Sequence, residues 1–122
     1  TICNRILGFV NAPALAQQIL EVCMEAQVDL EVYRARRTAM AEILTDAGVE
    51  FNMPRGAFYF FPKSPVADDR QFVDALLKEC ILAVPGCGFG GPGYVRLAFC
   101  VDAKVIEGAA EGMKRAVASL KK

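Results

Sequence analysis

Residues 85–93 hold five glycines and two prolines in nine positions, and that stretch constrains the chain more than any other. A glycine inside a helix costs about 1 kcal/mol against alanine and a proline about 3 kcal/mol, so no helix crosses it. Proline also lacks the N–H that a central strand needs. The stretch is therefore a loop. Ile81-Leu82-Ala83-Val84 precedes it and Tyr94-Val95-Arg96-Leu97-Ala98-Phe99 follows it. Both runs read as short strands. A β–loop–β unit thus fixes the centre of the fold.

Helical spacing dominates elsewhere. Leu15, Ile19, Val22 and Ala26 form a stripe, with Pro13 at the first helical position, and predict a helix over 13–26 whose stripe faces the sheet. Val32, Ala39 and Ile43, flanked by Tyr33, Met40, Leu44 and Ala47, predict a second over 28–47, ended by Gly48. The aromatic run Phe58 to Phe61 within 57–61, stopped by Pro62, reads as a strand and as core. Asp68 with Gln71 has the spacing of a capping box for a helix over 69–79, with Phe72, Leu76 and Leu77 on its apolar face. Asp102 caps a last helix whose stripe is Ile106, Ala109, Ala110, Met113, Val117 and Leu120. Gly108 and Gly112 lie one turn apart on another face, which suggests a close packing contact. The order α-α-β-α-β-β-α predicts one α+β domain over 1–122. It would be a two-layer sandwich with a small, mainly antiparallel three-stranded sheet and helices on one face.

Composition narrows the function classes. A 54% hydrophobic chain with 14 basic and 14 acidic residues is not disordered, and it lacks the positive surplus of a nucleic-acid binder. No apolar run approaches the roughly 18 residues of a membrane helix. Residues 1–11 lack the basic-then-apolar order of a signal peptide. Histidine is absent, which removes the usual general base and the commonest zinc ligand. The five cysteines, at 3, 23, 80, 87 and 100, form no C-x-x-C pair and read as reduced core thiols of a cytosolic protein; no metal site is expected.

Two features invite a chemical reading. Gly86-Cys87-Gly88-Phe89-Gly90-Gly91 matches G-x-G-x-x-G in letters, but a strand follows where a dinucleotide site needs a helix N-terminus. Arg96 shares one face of its strand with Tyr94 and Ala98, opposite Val95, Leu97 and Phe99. It is either an arginine on a solvated face or an anion clamp whose planar guanidinium meets a carboxylate with two donors. Arg34, Arg36 and Arg37 read as a solvated helix face paired with nearby acids. No nucleophile stands beside a base, so residue chemistry alone yields an α+β domain with one candidate anion site.

Four stretches carry a family resemblance. They are Asn11-Ala12-Pro13 with Gln17; Tyr33-Arg34-Ala35-Arg36-Arg37 with Leu44 and Gly48; Pro54-Arg55-Gly56-Ala57-Phe58-Tyr59 with Phe61-Pro62; and Pro85-Gly86, Phe89-Gly90, Gly93-Tyr94 running into Val95-Arg96-Leu97-Ala98-Phe99. In this order they resemble the C-terminal small domain of a class I/II, aspartate-aminotransferase-like enzyme, a fold-type I enzyme dependent on pyridoxal phosphate. The resemblance implies that Arg96 binds the α-carboxylate of an amino-acid substrate. It also implies that Phe89 lines the site and that Asn11 approaches the active site of the partner subunit in a cytoplasmic homodimer. The intact enzyme would move an amino group between an amino acid and a 2-oxo acid.

The family's S-x-S-K motif is missing, so no catalytic residue is expected in this chain and no stable hold on the cofactor. A chain that begins at Thr1 without that motif reads as a C-terminal fragment, inactive alone, with the large cofactor-binding domain absent. The competing reading is a free-standing, non-enzymatic regulatory module in which Arg96 grips a small carboxylate.

Overall fold

A computed structural model describes residues 13–121. Three helices precede the last two strands: α1 (Ala14–Cys23), α2 (Leu30–Asp46) and α3 (Asp69–Lys78). The strands are β1 (Tyr59–Phe60), β2 (Val84–Pro85) and β3 (Val95–Ala98), and α4 (Ala103–Gly108) and α5 (Ala110–Leu120) close the chain. The sheet runs β1-β3-β2, all antiparallel, with Phe60 opposite Leu97 and Val84 opposite Arg96. The expected α+β architecture is present.

Local chemistry explains the boundaries. Asp29, Asp68 and Asp102 each cap a helix by accepting a hydrogen bond from the N–H two residues on, at 3.0, 3.0 and 2.9 Å. Asp68 thus caps through Arg70 N–H. At the end of α2, Gly48 N–H donates to Thr45 O and Val49 N–H to Leu44 O, both at 2.9 Å. That is a Schellman turn, and Gly48 ends the helix as its sequence position suggested. The end of α3 repeats it with Cys80 N–H on Leu77 O and Ile81 N–H on Leu76 O. Here a cysteine, at φ +60°, takes the left-handed place.

That turn changes the second strand. Ile81 is spent closing α3, so β2 starts at Val84 rather than at 81. The predicted last helix is likewise two helices. At Ala109 the backbone tightens, with its N–H donating to Ile106 O, directly after the helix-weakening Gly108. Pro13 stands one place earlier than expected, as the N-cap of α1, and its carbonyl accepts from Gln17 N–H.

The core lies between the sheet and α2, α3, α4 and α5. Val95, Leu97 and Phe99 point into it from β3 and its exit, as alternation requires. Phe60 is fully buried, edge-on to Phe99 with ring centroids 5.6 Å apart. Ile106, Met113 and Val117 from the last stripe are buried, while Leu120 is half-buried. A Cβ on Gly112 would stand 3.2 Å from both Glu79 Cβ and Ile81 Cδ1, so α5 crosses the end of α3 at close range. Gly108 meets nothing within 4 Å, so the expected contact exists at Gly112 alone.

Several burial expectations fail. Leu77, expected on the apolar face of α3, is 54% exposed, and Val32 at the start of the α2 stripe is exposed too. The stripe of α1 is not against the sheet: α1 buries no residue, and Leu15 is 69% and Val22 83% exposed. In the aromatic run, Phe60 alone is core; Phe58, Tyr59 and Phe61 are over a third exposed. A two-residue strand can bury one side chain of a pair, and Ala57 at φ +56° turns the chain just before it. Among the described residues, no helix is long and apolar enough to cross a membrane.

Candidate functional site

Among the described residues, the helices cover one face of the sheet and leave the other open. On that open face β3 presents Arg96 and Ala98, both half-buried. Tyr59, directly opposite Ala98, stands diagonal to Arg96 on the same face, within reach of a long side chain. The Arg96 Cζ lies 4.6 Å from the Tyr59 ring centroid. Phe89, on the turn after β2, reaches the same cation at 4.2 Å. Among the described residues, no carboxylate forms an ion pair with Arg96. Phe61 and Tyr94 extend the patch as a stacked pair, with centroids 5.4 Å apart and planes at 4°.

The glycine-rich turn places Phe89. Gly86–Phe89 form one 3-10 turn, and Gly90, at φ +73°, ends it. A Cβ on Gly86 would collide with Gly91 O and stand 2.6 Å from Tyr94 O, so no other residue fits there. Asp69 Oδ2 accepts from Cys87 N–H at 3.0 Å and from Gly93 N–H at 3.3 Å. Its residue is 4% exposed, and it pins both ends of the turn to the start of α3. Sequence reading passed over Asp69. The available signal was the doubled Asp68-Asp69: one carboxylate suffices for the cap, which leaves the second for another partner. Neighbouring Arg70 has its pKa raised above the ordinary arginine value, chiefly by a hydrogen bond to the Cys87 side chain and then by the charge of that group and of Asp68.

The other candidates scatter. Asn11 and Cys3 lie outside the described residues. Cys23, Cys80, Cys87 and Cys100 are free and exposed rather than core, because they fall at helix ends, in the glycine turn and just after β3. The α2 arginines are not a uniformly solvated face. Arg34 pairs with Glu31, Arg36 lies 5.8 Å from the Tyr33 centroid, and Arg37 Nη1 donates to Pro54 O at 3.2 Å. The Nε atoms of Arg36 and Arg37 are buried without a hydrogen-bond partner. A groove of about 410 Å³ runs past Met40, Ile81, Val105 and Ala109. Its lining is apolar apart from Glu79 and Cys80, and Arg96 is not part of it.

An arginine free of acid partners among the described residues, on an open sheet face beside a pinned glycine turn, sits in an α+β domain of the aspartate-aminotransferase-like fold. An aminotransferase structure from Eubacterium rectale superimposes on 98% of this chain with a TM-score of 0.85 and 34% identity, over 30% of its own length. The Thermus thermophilus aspartate aminotransferase solved with maleate matches 70% of this chain at a TM-score of 0.68 and 32% identity, over 23% of its length. Residues 5–113 match the family described as aminotransferase class I and II, and the chain belongs to that family. A curated relative, the (5-formylfuran-3-yl)methyl phosphate transaminase of Methanocaldococcus jannaschii, is 34% identical over 116 residues, covering 88% of this chain. The chain spans 30% of that relative's length.

Proposed function

We propose that this chain is the substrate-carboxylate arm of an aminotransferase that moves an amino group between an amino acid and a 2-oxo acid. Arg96 holds the α-carboxylate of the substrate. The observation that carries this is a strand arginine, half-buried and without an acid partner among the described residues, on the open face of a domain from this family. A guanidinium so placed offers two parallel N–H donors to a planar carboxylate. The relative solved with maleate held a dicarboxylate, which agrees with carboxylate recognition in the family.

The family generally uses pyridoxal phosphate, which supplies an electron sink for the reacting amine. The described residues do not fit it. None of the described lysines is buried; Lys63 pairs with Glu50, and Lys114 with Asp46 and Glu111. The residues that anchor the cofactor belong, in this reading, to the part of the relatives' length that this chain does not span. The glycine turn with Phe89 forms part of the active-site cover. The exposed apolar side chains of α1 support burial of that helix in the assembled enzyme, against the rest of the protein or a second subunit of a homodimer. Free, exposed thiols agree with a reducing, cytoplasmic setting.

The test is Arg96→Lys in the full-length enzyme. Lysine keeps the charge and loses the two-donor geometry, so kcat/KM for amino acids should fall about tenfold or more. The carboxylate also orients the substrate, so kcat should fall with it. Amines without the carboxylate should be nearly indifferent. Equal slowing of both substrate types would make Arg96 a structural residue.

A further inference from the structure

Among the described residues, Arg96 is held by rings rather than by acids. Tyr59 comes from β1 and Phe89 from the turn after β2, yet both ring centroids lie within 4.6 Å of the Arg96 Cζ. Neither ring serves the core: Phe89 is 52% and Tyr59 36% exposed. An aromatic face attracts a cation through its quadrupole but is a poor acceptor beside a carboxylate. Contacts of this kind restrain a guanidinium without consuming its N–H donors.

We propose that Tyr59 and Phe89 are positioning residues that fix the direction of the Arg96 guanidinium, so that its nitrogen edge meets a substrate carboxylate without first being ordered. An arginine has four rotatable side-chain bonds, and an unrestrained head on an open face would lose that freedom at each binding event. An acidic partner would also order the head, but it would occupy the donors and compete with the substrate. The two rings avoid that competition. Phe89 in turn depends on the turn that Asp69 pins, so the orientation of the cation traces back to the start of α3. This inference rests on the reading of Arg96 as the carboxylate clamp.

Two measurements test it. In the 122-residue chain, ¹⁵N NMR should show the Arg96 Nε–Hε proton displaced upfield by the ring currents. Phe89→Leu and Tyr59→Leu should each remove part of that displacement, and Tyr59→Phe should restore it. In the full-length enzyme, Phe89→Leu and Tyr59→Leu should each lower kcat/KM for an amino acid about fivefold, the scale of one cation–π contact. An amine of the same side chain without the carboxylate should be unaffected, and Tyr59→Phe should recover the activity that Tyr59→Leu loses. If Arg96→Lys impairs amino-acid turnover but the leucine variants leave shift and kinetics unchanged, the positioning role is overturned and the clamp stands. If the leucine variants slow amino acid and amine alike, the rings line the site without orienting Arg96, which also overturns the proposal. If Arg96→Lys changes nothing, the clamp reading falls and the positioning role with it.

Discussion

Asp69 is a carboxylate that its helix does not need, since Asp68 already caps α3. It serves the glycine turn instead, and its removal leaves the N–H groups of Cys87 and Gly93 without their acceptor. Asp69→Ala should therefore cost about 2–3 kcal/mol, read as a lower urea midpoint at unchanged slope. Asp69→Asn keeps an acceptor oxygen and should lose about half as much. A midpoint unmoved by alanine would show that the turn holds its shape through its own backbone bonds. At this scale the sequence was partly legible. A period of two along β3 is enough to put Arg96 on the face opposite Leu97. The ring contacts were not legible, because Phe89 reaches Arg96 through a turn whose path depends on left-handed glycines and on a buried carboxylate eighteen positions before Cys87.

Elements were legible where one face dominates. The stripe of the last helix predicted Ile106, Met113 and Val117 as core, and all three are buried. What periodicity cannot give is depth or partner. Leu120 continues the stripe and packs against the core, but only half-buried, at its edge. Val117→Asp should thus cost about 4 kcal/mol, as an unpaired charge in an apolar site, whereas Leu120→Asp should cost about 1 kcal/mol. Chemical denaturation of both variants measures the difference, and equal losses would mean that α5 is packed to its last turn. The same gap explains α1. Its apolar spacing is real, but spacing does not say what covers it, and the core is already built from the sheet and four other helices. For β2, the conflict lay between apolar character and a helix end: Ile81 looks like strand, and a left-handed Cys80 commits it to closing α3.

Across the whole molecule, stability is uneven by construction of the fold. The core joins residues from α2 through α5, while α1 has ten residues and none buried. A helix that short is marginal in water without tertiary support. Amide exchange on the 122-residue chain should accordingly find α1 protected by less than about tenfold and the β3 and α5 amides protected to near the global stability. Strong protection in α1 would show that the chain, or a second copy of it, covers that helix. The Asp69 anchor carries a different consequence, for length. Both ends of the turn hang on one oxygen atom, so the count of residues between Cys87 and Gly93 is set by a distance. A residue inserted there must release one bond or the other, and with it the placement of Phe89. A side chain at Gly88, by contrast, meets nothing within 4 Å. Related chains should therefore tolerate a change of letter at Gly88 far more readily than a change in the number of residues in this turn.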